Sequence, residues 1–258
     1  GEKGRDLIGR RVVGEINCVC HRCEMCRDEL GSHCFERSVL GIAGRDGCMA
    51  EQVVLPAENV HPVSDNVTDR QAVLVEPLAA AFQVVEQVPV NHLMQAVVIG
   101  DGRLGQFVAQ VLTAEGLRPL VVGKHERKLQ RLRQLCIDSV MLDDARPQRR
   151  AHLVVEASGS LDGLRLAMQF VRPRGTIVLK STYAAPPPID LAPVVVNELR
   201  ILGSRCGPFP EALQLLQQRQ VEVQEMISRI YPLKAGPQAF EVAASPQEIK
   251  VLLRPGRG

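Results

Sequence analysis

Hydrophobic positions change their rhythm twice along this chain. Through residues 10–90 they come in short bursts, RRVVGEI, AEQVVLP and NVHPV, with glycine and proline between them, as in a lobe of short strands and loops. From Asn91 onward, apolar runs of strand length alternate with amphipathic stretches. QAVVIG (95–100) reads as a buried parallel strand, and Leu104, Phe107, Val108, Val111 and Leu112 recur at helical spacing up to Gly116. PLVVG (119–123), a helix over 126–135, SVML, AHLVVEAS, a helix over 161–171, GTIVLKS and ELRILGS (198–204) continue the alternation. Strand, helix, strand repetition with short connections predicts an α/β fold with a doubly wound parallel sheet. After Ser204 come a short helix (EALQLLQQ), two strands (ISRIYPL, IKVLLRP) and a helix (AGPQAFEVAA). The divisions this implies are 1–90, 91–205 and 206–258. Pro186, Pro187 and Pro188 mark 184–193 as a loop.

Chemistry enters with the cysteines. Cys20, Cys23, Cys26 and Cys34 follow C-x2-C-x2-C-x7-C in a polar, loop-like stretch. Short spacings let one small lobe wrap Zn²⁺ in four thiolates, and such a closed set leaves no coordination position for chemistry. The metal predicted is therefore structural. Separately buried thiols and disulfides are the competing readings. Cys18, Cys48, Cys136 and Cys206 are scattered singly and read as small apolar residues. No apolar run is long enough to span a bilayer and no signal-peptide pattern is present, so a cytoplasmic, reducing setting is expected. Charge is balanced, 31 basic against 29 acidic side chains, and there is no Trp, with two Tyr and six Phe. That composition lacks the basic, aromatic footprint of a nucleic-acid binder.

Gly100-Asp101-Gly102-Arg103-Leu104-Gly105 fits G-x-G-x-x-G between a predicted strand and a predicted helix, the context a dinucleotide site of the Rossmann type requires. Gly100 allows the tight turn, Gly102 lets a pyrophosphate approach the backbone, and Gly105 lets the helix pack on the strand. NAD sites place an acid at the end of the next strand, on the ribose hydroxyls. That strand ends here in Gly123, followed by Lys124, His125, Arg127 and Lys128 with only Glu126 among them. Cations at a helix N-terminus oppose its dipole unless an anion lies between them, and a 2′-phosphate supplies one. NADP(H) is thus favoured over NAD(H), with Gly123 leaving room for the phosphate; a solvated basic face is the alternative.

A cysteine lobe and a G-x-G-x-x-G sheet at this separation resemble the zinc-containing medium-chain dehydrogenases, relatives of the alcohol, sorbitol and threonine dehydrogenases. The segments GRRVVGEINCVCHRCEMC, GCMAEQVVLP, VEPLA (75–79), EASG (156–159), NELRILGS and IKVLLRP each resemble a part of that family. The resemblance implies a Rossmann domain beside a β-rich, GroES-like catalytic domain bearing the zinc lobe. It implies interconversion of a small-molecule alcohol and a carbonyl by hydride transfer, with a second, catalytic zinc as Lewis acid. It also places Ser158 beside the nicotinamide and Glu76 beside or on the catalytic zinc, and it implies a homo-oligomer through the strand at 198–204. One departure is plain. The family's Cys and G-H-E His for the catalytic zinc precede the lobe, yet nothing before Cys18 is Cys or His. With Gly1 standing directly ahead of a strand, the expectation is an incomplete catalytic domain, or else a nucleotide-binding short form without turnover. His21, His33 and His61 read as surface or lobe-packing residues. Lys180, Ser181 and Thr182, at a central strand's end, line the nicotinamide side or serve the loop.

Overall fold

The structure, a computed structural model, describes residues 2–182 and 189–256, and for Glu2 and Lys3 only the backbone. The triple proline lies outside the described residues. Two compact units emerge, 1–76 with 223–258, and 77–222.

In the first unit, β1 (Val12–Gly14), β2 (Asn17–Cys18), α1 (Glu24–Arg27), β3 (Ser38–Val39), β4 (Val60–Pro62) and α2 (Asp69–Ala72) are all short. β1 pairs antiparallel with β4, and β2 with β3, so the cysteine lobe hangs between the arms of a two-residue ladder. Buried Asn59 ties the two pairs together, its Nδ2 donating to the Asn17 carbonyl at 2.6 Å. α2 begins with a capping box: Thr68 accepts from the Gln71 N–H while Gln71 reaches back to the Thr68 N–H.

α3 (Val75–Gln87) opens the second unit, burying Leu78, Ala79, Ala81 and Val84. Next come β5 (Ala96–Ile99), α4 (Arg103–Ala114), β6 (Leu120–Gly123), α5 (Glu126–Gln134), β7 (Ser139–Met141), β8 (Ala151–Glu156), α6 (Leu161–Phe170), β9 (Val171–Leu179), α7 (Ala192–Val196), β10 (Arg200–Gly203) and α8 (Phe209–Gln217). All six strands are parallel, in the order β10-β9-β8-β5-β6-β7. Every residue of β5 is buried, which is why the run reads as continuously apolar: both faces carry helices. Val97, Ile99, Val154, Leu164, Phe170 and Ile177 belong to the core on one face. Chain order reverses at β5, flanked by β6 and β8, and α/β sheets bind ligands beyond the strand ends at such a point. The chain then returns to the first unit with β11 (Ile227–Pro232), α9 (Gly236–Ala243) and β12 (Lys250–Arg254), the two strands pairing parallel.

Two expectations differ from this picture. The units divide at 76/77 and 222/223 rather than at 90 and 205, because α3 and α8 bury their apolar faces within the second unit. AEQVVLP forms no strand; Val54 is 82% exposed, and no neighbouring strand offers this segment a hydrogen-bond ladder.

Candidate cofactor pocket and metal centre

The four cysteines of the lobe converge. Their Sγ atoms all lie within 4.8 Å of one another, the one such group of three or more candidate ligands among the described residues. Cys23 Sγ stands 3.5 Å from Cys26 and 3.8 Å from Cys34, and Cys20 is 3.9 Å from Cys26. A tetrahedral zinc with sulfurs at ~2.3 Å needs them about 3.8 Å apart, whereas a disulfide needs ~2.05 Å. The donor set therefore fits a closed four-thiolate metal. His21 at φ 58° turns the chain between Cys20 and Cys23. Backbone N–H groups point at the sulfurs: that of Cys20 donates to Cys34 at 3.4 Å. The N–H of Arg22 lowers the Cys20 thiol, and that of Phe35 brings Cys23 down to about 6 against the effect of burial. Burial first, and bonding to Cys23 second, push Cys26 up to about 12.

In the second unit a pocket of about 240 Å³ opens at the sheet's reversal point. Ile99 to Gly102, Val122 to His125 and Ala157–Ser158 wall it, all from the carboxyl ends of β5, β6 and β8. Larger grooves of about 1070 Å³ beside β11 and about 910 Å³ beside α6 and α7 are shallow and lack a glycine-rich turn. Gly100 sits at φ +118°, where a side chain would also run into the Ala157 carbonyl at 2.7 Å. A Cβ on Gly105 would fall 2.0 Å from the Gly100 oxygen, so helix and strand meet only through glycine. A Cβ on Gly102 would meet nothing within 4 Å. Gly102 is the N-cap of α4 and offers no side-chain cap, leaving the first N–H groups of a 12-residue helix for a ligand.

The space above Gly123 is not open. Asp101 fills it: a Cβ on Gly123 would stand 2.5 Å from both the Cβ and Oδ2 of Asp101. Asp101 Oδ2 accepts from the N–H groups of Lys124 at 2.8 Å and His125 at 2.6 Å, and its Oδ1 lies 2.9 Å from His125 Nδ1. Glycine at position 123 therefore makes room for a protein carboxylate, which corrects the expectation that it makes room for a phosphate. Gly123→Asp should consequently not convert the site to NADH. Displacing the Asp101 stem costs roughly 1–3 kcal/mol, by the rule for overpacking, and a lowered melting temperature with weaker binding of both cofactors checks it.

Of the expected cations, Lys124, His125 and Lys128 line the pocket, while Arg127 is exposed and outside its wall. Arg103 and Leu104 start α4 without lining it. Ser158 lines it and is itself held: its N–H and Oγ both donate to Glu156, a fully buried carboxylate, at 2.7 and 2.5 Å. Asp101, Glu156, Ser160 and Asp162 were not singled out from the sequence; an acid at the first x of G-x-G, paired with glycine at the next strand's end, was the available signal. Lys180 is tied down, donating to the carbonyls of Ala80 at 2.5 Å and Arg205 at 3.0 Å and to Ser204 Oγ, so the loop role fits it. Ser181 accepts from the Gly159 N–H at 2.8 Å. Glu76 is exposed in the first turn of α3 and joins no group of three or more candidate ligands among the described residues. His21 and His61 bond to Glu58 and Glu15, respectively.

A glycine-turned pocket at the reversal point of a parallel sheet, in a chain with a four-thiol lobe, is the arrangement that a zinc-type dehydrogenase requires. Two families match in tandem: the alcohol dehydrogenase GroES-like domain over residues 2–65 and zinc-binding dehydrogenase over residues 104–218. Together they span most of the chain, which belongs to the zinc-type medium-chain dehydrogenases and is by family an alcohol dehydrogenase-like oxidoreductase. Sorbitol dehydrogenase of Halalkalibacterium halodurans is 25% identical over 96% of this chain and 77% of its own length. 2-Dehydro-3-deoxy-L-galactonate 5-dehydrogenase of Pseudoalteromonas atlantica is 28% identical over 95% of this chain and 76% of its own. Alcohol dehydrogenase TADH from Thermus sp. ATN1 superposes with a TM-score of 0.87 at 25% identity, over 96% of this chain and 78% of that one. A Sinorhizobium meliloti protein described as a zinc-binding dehydrogenase, solved with NADP bound, shares the fold at TM-score 0.88 and 22% identity, over 96% and 77%.

Proposed function

We propose that this chain carries the dinucleotide site and structural zinc of an oxidoreductase that interconverts an alcohol or polyol and its carbonyl with NADP(H). The observation that carries the reading is the pocket at the reversal point, where uncapped α4 faces open space over Gly102. In this reading the N–H groups of α4 bind the pyrophosphate. Lys124, His125 and Lys128 supply charge-assisted hydrogen bonds to a 2′-phosphate. Ser158, fixed by Glu156, orients the far end of the cofactor. The nicotinamide, when bound, supplies the hydride acceptor and donor. Cys20, Cys23, Cys26 and Cys34 hold a zinc that shapes the lobe and touches no substrate. Eight free thiols fit a reducing, cytoplasmic setting, and among the described residues no helix is long and apolar enough to cross a membrane. Edge strand β10 fits a homo-oligomer formed through the sheet.

A second reading, nucleotide binding without turnover, draws on the absence of any open metal site among the described residues, since the one candidate cluster is closed. Glu76 is the remaining catalytic candidate. Titration with NADPH tests the dinucleotide site that both readings share, and assays over a panel of polyols test turnover. The expected result is NADPH binding with little or no turnover by this chain alone. Robust turnover abolished by Glu76→Ala and by chelator would place a working metal at Glu76 and remove the second reading.

A further inference from the structure

We infer that Asp101 is the specificity-determining residue for the ribose end of the cofactor, standing in for the acid the second strand lacks. The inference rests on the pocket being the dinucleotide site.

Its basis is a substitution in space. Rossmann sites that bind NAD carry an acid at the end of the second strand. Here that strand ends in Gly123, and the first loop sends Asp101 into the vacated volume, its side chain only 7% exposed. A carboxylate accepts about four hydrogen bonds. Two backbone N–H groups and the His125 ring occupy most of them, which pins the carboxylate and leaves about one acceptor position for a ribose hydroxyl.

Besides Asp101, the charged groups lining this pocket are Lys124, Lys128 and, from the start of α6, Asp162, with the His125 ring among them. A pinned carboxylate that accepts from a ribose hydroxyl favours NADH and repels a 2′-phosphate brought to the same place, so Asp101 opposes the pull of the two lysines on that phosphate.

The test is a titration of the purified full chain with NADPH and with NADH, followed by fluorescence and calorimetry at one pH and one ionic strength. Asp101→Asn should weaken NADH and raise the ratio of NADPH to NADH affinity roughly tenfold, on the scale of one charge-assisted hydrogen bond. A folded Asp101→Asn with that ratio unchanged overturns the inference. If Asp101→Asn does not fold, NADH and its 2′-deoxyadenosine analogue decide on the unmodified protein: the analogue should bind roughly tenfold more weakly, and equal affinities overturn the inference. NADH preferred by the unmodified protein, with the ratio rising in Asp101→Asn, removes the NADP(H) preference and keeps this inference; NADPH preferred with an unchanged ratio does the reverse. Binding of neither cofactor overturns both.

Discussion

Cys23→Ser should release the metal from the lobe and unfold residues 20–34 while the six-stranded sheet stays intact. The reason is the lobe's lack of any other core. α1 buries no residue, and neither does the turn at Gly31–His33. Phe35 is 71% exposed, and the buried apolar side chains from the two-residue ladder and the lobe are only Cys18, Cys34 and Val39. Burial of three small side chains contributes a few kcal/mol at most, by the rule of about 25 cal/mol per Å². Structural zinc contributes on the order of 10 kcal/mol or more in small four-ligand sites. The metal therefore outweighs the packing, and three thiolates hold it far less tightly than four. Metal analysis should find about one zinc per chain before the change and almost none after it. Amide exchange should show lost protection around Asn17–Cys18 and Ser38–Val39, with β5 and β8 unaffected. Protein purified without zinc, yet protected in the lobe, would refute the metal.

The sheet and the thiol cluster were legible in the sequence because each depends on local pattern. AVVI, LVVG and the run ending at Glu156 are apolar on both faces because helices cover both, and four thiols at short spacing leave few alternatives. What stayed hidden depends on approach between distant segments. Gly123 read as a gap because its neighbours along the chain are cations, whereas its neighbour in space is Asp101, 22 positions earlier. Lys128 read as part of an exposed basic run but is buried against the pocket, and Arg127 beside it faces away from the wall. AEQVVLP has strand composition but no partner strand, and composition alone cannot report the missing ladder.

Two neighbouring glycines should separate folding from binding. Gly105→Ala places its methyl 2.0 Å from the Gly100 oxygen and 3.0 Å from the Gly100 carbonyl carbon. Both atoms are backbone, at the turn where Gly100 already holds φ +118° and packs on the Ala157 carbonyl, so neither can step aside. The first turn of α4 must move off β5 instead. That loosens Phe107, Val108, Val111 and Leu112, all fully buried, and the expected loss of stability is about 3 kcal/mol or more. Dinucleotide binding should disappear with it, because the N–H groups of α4 no longer aim at the pocket. Gly102→Ala is the control. Its φ of −69° suits alanine, and the new methyl meets nothing within 4 Å. Stability should therefore hold to within about 0.5 kcal/mol, or rise slightly through lost freedom of the unfolded chain. The methyl still projects over the α4 N-terminus, where the pyrophosphate must approach the backbone, so affinity for NADPH and NADH alike should fall by roughly a hundredfold, the cost of losing about two charge-assisted hydrogen bonds. Denaturant unfolding and cofactor titration on the two variants give four numbers. Retained binding in Gly102→Ala, with its fold intact, would move the phosphates, and with them the dinucleotide site, away from α4.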